Sequence, residues 1–238
     1  MRTFGARDLD AGARLVAQAG WNQVEDDWRV FVEHGAVFAV EAPDGAVVAT
    51  AATLPYDGFA WISMVLVDVD WRRRGLATLL LDRCVASIRA SGRTPMLDAT
   101  PAGRAVYARL GFRDGFGLQR WFRAAAWPTA LAPAAVLPDS ACAAAAASIR
   151  DCTSGDLRAL ADVDAAAFGA RRAWLIDALA ARSPGFAAVA ERGGRVIGFV
   201  LGRPGRTATQ IGPVVAEDAA VGEALLRHAV ARVPGPLL

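Results

Sequence analysis

Lysine is absent from this chain of 238 residues, so all 26 basic side chains are arginines. They are spread along the whole length and nearly balanced by 24 acidic residues, leaving a formal net charge of +2. No basic stripe interleaved with aromatics results, which argues against a nucleic-acid binder. The uniform use of arginine reads as compositional drift in the coding DNA. Cysteine is scarce too: Cys84, Cys142 and Cys152 form no close pair with metal or redox spacing, and their odd number argues against a disulfide framework. A reducing cytoplasm is the expected compartment. The two histidines, His34 and His228, fall on predicted helices without ligand spacing, so no metal is expected. The N-terminal decapeptide lacks the apolar core of a signal peptide, and no run of about 20 uninterrupted apolar residues predicts a membrane span. The nearest approach, residues 124–149, is broken by Pro128, Pro133, Pro138 and Asp139 and reads as an alanine- and proline-rich linker.

With 54% hydrophobic and 21% charged residues, the composition supports a packed core. Residues 8–33 carry two helical patterns separated by Gly20, Trp21 and Asn22. The period then changes. Residues 36–54 read as a hairpin around Pro43, Asp44 and Gly45, and residues 60–69 as an apolar, central strand. Leucines and alanines recur at helical spacing from Gly75 to about Arg89. A further strand is predicted over 94–100, and a short helix over 101–112 with Thr100 as cap and Pro101 as its first residue. One or two closing strands are predicted over 115–124. The order implies a mixed α/β (α+β) sheet with helices on both faces.

The pattern then returns. "FAVEAPDGAVVA" aligns without gaps on "AAVAERGGRVIG", Val40 on Val189 and Gly45 on Gly194, so the chain reads as two copies of one unit. The second copy has no counterpart of "RRRGLA" and stops at "VPGPLL", before the first copy's later strands and helix have a partner. The predicted organisation is a first domain over 1–125, a linker over 126–147 and a shortened second domain over 148–238.

The junction "WRRRGLAT" ends a strand and opens a helix. The first N–H groups of a helix lack acceptors within it and, with the helix dipole, attract an anion. Gly75 lacks a Cβ and permits close approach of the backbone, while Arg72, Arg73 and Arg74 add charge and donors. A solvated basic turn would have the same sequence; its place after a central strand favours phosphate, and a pyrophosphate would take successive N–H groups from about Arg73 to Thr78.

Arg72-Arg73-Arg74-Gly75-Leu76-Ala77 matches the R/Q-x-x-G-x-G/A motif of the GNAT acetyltransferases, and "YARLGF", Tyr107 to Phe112, resembles their Tyr-x-x-x-Gly-Phe element. The order of elements over 1–125 is similar as well, and "GWNQ", "LDATPAG", "FGARR" and "IGPVVAED" resemble a tandem GNAT subgroup with a degenerate second half. The resemblance implies the GNAT acyl-CoA N-acyltransferase fold with acetyl-CoA as acyl donor. It places the backbone of Val65, Leu66 and Val67 along the pantetheine arm, and the turn from Arg72 through Gly75, Leu76 and Ala77 to Thr78 on the pyrophosphate. It sets Thr100 where the family often has a pantetheine-contacting Asn, a position that a simple helix cap explains equally, and Tyr107 where the family has its general acid. The alternative for Tyr107 is a ring packed beside Phe112.

Acetyl transfer to an amine requires a lone pair, and alkyl amines have a pKa near that of lysine, about 10.4, so a base or water chain must take a proton. The histone-acetylating branch carries a Glu where this chain has Trp61, and Ser63, on the same side of the strand, is no comparable base. The acceptor expected is a primary amine of a small molecule rather than protein lysine. Glu25, Asp27, Glu41 and Asp98 are the remaining carboxylates that could act as base. Trp21, Trp28, Tyr56 and Trp61 line an acceptor pocket or belong to an aromatic core. A non-catalytic acyl-CoA-binding or regulatory module is the alternative function.

Overall fold

The computed structural model describes residues 1–124, 147–182 and 185–238 and divides the chain into two compact units, Met1–Gln119 and Arg120–Leu238. The boundary follows Gln119, so residues 120–124 group with the second unit, whereas the sequence reading placed them in the first domain. Nearly all of the predicted linker lies outside the described residues.

The first unit runs β1 (Arg2–Thr3), α1 (Leu9–Gln18), α2 (Glu25–His34), β2 (Ala36–Glu41), β3 (Val47–Pro55), β4 (Phe59–Val67), α3 (Leu76–Ala90), β5 (Thr94–Leu97) and α4 (Pro101–Arg109). Its sheet has the order β1-β2-β3-β4-β5, antiparallel except for the parallel β4/β5 pair. The expected helices on both faces are present. On one face Leu9, Leu15, Val16 and Trp28 of α1 and α2 pack with Val37, Ala39, Met64 and Leu66. On the other, Leu80, Leu81, Cys84 and Ile88 of α3 pack with Phe38, Ala49, Ala51 and Ile62. The helical spacing of these residues gives each helix one apolar stripe to bury.

A β-bulge in β4 positions everything that follows. Ala52 pairs with Ser63 but Thr50 pairs with Leu66, so β4 carries one residue more than β3 across this interval. Met64 takes the extra turn with φ 53°, and its carbonyl accepts a hydrogen bond from Thr50 Oγ1 at 2.9 Å. The bulge reverses the side-chain alternation. Ala60 and Ile62 face α3 before it; Val65 and Val67 do so after it, while Met64 and Leu66 cross to the α1/α2 side.

The predicted strands over 115–124 do not form. Arg123 makes a single bridge, to Leu237, and Phe116, Leu118, Trp121 and Phe122 are exposed. Their spacing suits a strand, but a strand also needs a hydrogen-bonded neighbour, and β5 is offered none by this segment.

The second unit repeats the opening order: β6 (Ser148–Asp151), α5 (Leu157–Phe168), α6 (Ala173–Arg182), β7 (Ala188–Arg192), β8 (Arg195–Arg203), β9 (Gln210–Ala216) and α7 (Ala219–Arg232). Among the described residues its strands form one sheet, β6-β7-β8-β9. The repeat extends to its ion pairs. Arg2 bonds Asp8 at 2.7 Å and Glu41 at 2.6 Å; Arg150 bonds Asp156 at 2.7 Å and Glu191 at 2.9 Å.

Strand register corrects the gapless alignment. Arg2 lies opposite Ala39 and Arg150 opposite Val189, so Val189 is the counterpart of Ala39, not of Val40. Beyond the turn Val47 and Val196 correspond, each facing the glutamate of its own network, so the second hairpin is one residue shorter. A one-residue slip would turn the strand over, and the two faces hold different cores: Ala39 and Val189 pack with the first two helices of their units, whereas Phe38, Ala188 and Ala190 face the opposite core. The terminal "PLL" is also more than a stop. Leu238 N donates to Thr209 O at 2.9 Å and Ile211 N to Leu238 O at 2.8 Å, which lays this segment parallel to β9 as β5 lies beside β4.

Candidate active site

β5 pairs with β4 only from Phe59 to Ile62. Beyond that the two parallel strands part, and the β5-facing backbone edge of residues 63–67, including Val65, Leu66 and Val67, has no strand partner among the described residues. This opening at the carboxyl ends of parallel strands leads to the turn that starts α3.

Gly75 caps α3 in the left-handed conformation, φ 78° and ψ 2°. A Cβ built there meets no atom within 4 Å, so within the chain it is the left-handed backbone angle, and not crowding, that calls for glycine. The first bond at the cap runs from Leu79 N to Gly75 O at 3.0 Å, leaving the N–H groups of Leu76, Ala77 and Thr78 ahead of the helical ladder. The three arginines divide their work. Arg72 Nε donates to Val67 O at 3.3 Å, and Arg74 Nη2 donates to Asp70 O at 3.0 Å while its guanidinium lies 4.5 Å from the centre of the Trp71 ring. Both brace the turn. Arg73, itself left-handed with φ 61°, is exposed and its guanidinium has no partner among the described residues.

Behind the turn stands Asp68. Its carboxylate accepts hydrogen bonds from Arg14 Nη1, from Gln18 Nε2 at 3.2 Å and from Asp70 N at 3.1 Å. Burial opposes its ionisation, but these hydrogen bonds outweigh burial and hold the carboxyl below its ordinary range.

On the other side of the opening, Thr100 Oγ1 accepts from Gly103 N at 3.1 Å and Pro101 begins α4, as expected. Trp61, Asp98, Thr100 and Tyr107 line one cleft. The Tyr107 ring meets Phe112 edge-on at 6.2 Å, and burial pushes its phenol pKa up, so it remains a proton donor at neutral pH. Packing and cleft lining are therefore both true of it.

The remaining aromatics scatter. Trp28 is fully buried, stacked on Phe4 at 4.9 Å, and presents no surface to an acceptor. Tyr56 is buried against Phe59 at the β3/β4 turn, and Trp21 packs on the α1/α2 core. These three are not brought to the Tyr107 cleft; their core reading holds for Trp28 and Tyr56. Ser63 lies at the bulge. Of the four carboxylates, Glu25 pairs with Arg29, Glu41 with Arg2, and Asp27 accepts from Val24 N at 3.0 Å as a helix cap. Asp98 lines the cleft. Among the described residues no group of three or more His, Cys, Asp and Glu side chains is placed to hold a metal ion, and no helix is long and apolar enough to cross a membrane.

Sequence missed the bulge, the Asp68 network and the division among the arginines. A single residue of excess in β4 leaves no mark on hydropathy, and Asp68 and Arg14 stand 54 residues apart.

The profile of the acetyltransferase (GNAT) family matches residues 7–112, and that of an acetyltransferase (GNAT) domain matches residues 160–238. The GNAT fold is present in both halves. A Bacillus subtilis protein described as the uncharacterized N-acetyltransferase YitH is 24% identical over 225 residues, covering 94% of this chain and 75% of its own. Among solved structures, a putative acetyltransferase from Pyrococcus horikoshii aligns over 99% of this chain and 77% of its own with a TM-score of 0.68 and 17% identity. A probable N-acyltransferase from Enterococcus faecalis aligns over 99% and 63% with a TM-score of 0.60 and 14% identity. Both GNAT segments fall within the compact units, one in each.

Proposed function

We propose that the chain is an N-acetyltransferase that moves the acetyl group of acetyl-CoA onto a primary amine of a small molecule by direct attack in a ternary complex. One observation carries this reading: the parted end of β4 runs into a left-handed glycine turn whose helix N–H groups and unengaged Arg73 suit a pyrophosphate. The pantetheine arm would take the place of the missing strand along Val65, Leu66 and Val67. Its thioester would then come to the bulge, where backbone left out of the ladder can face the carbonyl oxygen.

In the transfer the amine nitrogen forms a bond to the acetyl carbon, the carbon–sulfur bond breaks, and the amine's proton passes to a base. Asp98, which lines the same cleft as Tyr107, is assigned that role, and Tyr107 gives its phenolic proton to the departing thiolate. Neither histone-style Glu nor metal enters this scheme. Trp61, in the position of that Glu, gives the cleft an apolar wall suited to an acceptor with an apolar body.

The test is release of free thiol from acetyl-CoA across a panel of small amines, beside calorimetric binding of coenzyme A. Amine-dependent release supports the enzyme. Coenzyme A binding without turnover on any amine supports the non-catalytic module, and absence of binding overturns both.

A further inference from the structure

The two units share one ion-pair network and differ in another, and the difference coincides with the arginine-glycine turn. Arg2–Asp8–Glu41 recurs as Arg150–Asp156–Glu191, tying the first strand of each unit to its first helical turn and first hairpin. Among the described residues the Arg14–Asp68 network does not recur. Asp8 and Asp156 each immediately precede the first long helix of their unit, and six residues on from them stand Arg14 and Asp162, of opposite charge. Asp68 follows the last residue of β4 as Glu217 follows the last residue of β9, but Glu217 turns to Arg195 at 3.0 Å and Arg192 at 3.4 Å, across to the β7/β8 hairpin. Asp162 pairs with Arg171 at 3.6 Å. A contact needed only to hold this fold together would be expected in both units, as the Arg2 network is.

The position of Asp68 supplies a second argument. One oxygen accepts Asp70 N and so fixes the first residues of the turn; the other is held by Arg14, whose second nitrogen donates to Val47 O at 2.6 Å. The carboxylate thus joins α1, the start of β3 and the backbone from which Arg72, Arg73 and Gly75 hang. We propose that Arg14 and Asp68 are positioning residues that set the backbone of the pyrophosphate turn. The proposal rests on the coenzyme A reading above. Neither residue touches the ligand; each acts through the main chain of residues 68–75.

Positioning of the turn affects the pyrophosphate half of coenzyme A and not the pantetheine half, which separates it from general stabilisation. Asp68→Asn keeps the acceptor for Asp70 N and removes the charge opposite Arg14. Binding of coenzyme A and of 3′-phospho-ADP is measured by calorimetry on the whole chain, and binding of pantetheine by saturation-transfer NMR. Loss of one charge-assisted hydrogen bond predicts roughly tenfold weaker binding of coenzyme A and 3′-phospho-ADP with pantetheine unchanged. Arg150→Gln, which breaks the recurring network in the second unit, lowers Tm and leaves all three affinities as they were. If Asp68→Asn does not fold, Arg14→Gln breaks the same ion pair from its more exposed side and gives the same reading. Unchanged coenzyme A affinity, or equal weakening of coenzyme A and pantetheine, overturns the proposal. A wild-type chain that binds neither coenzyme A nor 3′-phospho-ADP overturns the coenzyme A reading itself, and this proposal with it.

Discussion

At the scale of single residues, Tyr107 is where chemistry and packing meet. Its ring rests on Phe112 while its burial keeps the phenol protonated, so the hydroxyl can be removed without emptying the site the ring fills. A coenzyme A thiolate has a pKa near that of a cysteine thiol, about 8.5, so near neutrality a proton donor helps its departure without being indispensable. General acid catalysis contributes about 10²–10⁴-fold, and Tyr107→Phe is expected to lower kcat by that order while coenzyme A affinity stays near wild type. Full turnover in Tyr107→Phe on a productive amine would make the residue a packing residue only. The proposed acid role follows from the likeness of "YARLGF" to the GNAT element; the sequence by itself shows only that Tyr107 stands near a helix end. Trp28 shows the opposite case. Its place beside a helix break suited a pocket, yet it closes over Gly12, where an added Cβ would lie 2.7 Å from its indole. No periodicity distinguishes an aromatic that fills such a notch from one that lines a cavity.

Elements decide which helix end is open to an anion. In the first unit, residues 68–75 separate β4 from α3, and the helix begins on a glycine that offers no side-chain cap. In the second, only Glu217 and Asp218 separate β9 from α7, and Asp218 caps the helix by accepting Val221 N at 2.9 Å. That helix end already carries a carboxylate, held ionised chiefly by the Val221 N–H and then by Arg192. The expected stoichiometry is therefore one coenzyme A per chain, and calorimetry that finds two sites of similar affinity would contradict it. Most elements were readable because their periods are clean: the α1/α2 pair, the hairpin, β4, α3, β5 and α4 all stand where apolar spacing puts them. Those misread depend on partners. β1 is two residues long and is a strand only because β2 lies beside it, and residues 115–124 alternate like a strand but lack a neighbour for one.

Over the whole molecule, stability is expected to fail first on the acid side. Hydrogen bonds from Arg2 hold Asp8 below its ordinary range despite burial, those from Arg150 do the same for Asp156, and Asp68 is held low by Arg14, Asp70 N and Gln18 against the cost of its burial. A carboxylate depressed in the folded state contributes stability that is fully present above its unfolded pKa, about 3.9, and is lost as pH falls through the folded value. Thermal unfolding followed by circular dichroism should show Tm level from neutrality to about pH 4 and falling below it; a Tm that holds to pH 2 would show that these ion pairs do not support the fold. The doubled architecture was visible in the sequence from a twelve-residue echo. Its register was not, because the second hairpin is a residue shorter and only strand pairing reveals which residue is missing.

The stacking of Arg74 on Trp71 gives the turn an optical property. An indole's emission energy follows the electric field across its ring, and the Arg74 guanidinium, 4.5 Å from the ring centre, contributes to that field. If coenzyme A binds as proposed, its pyrophosphate alters the charge beside this ring, and a shift in Trp71 emission on adding coenzyme A is the expected consequence.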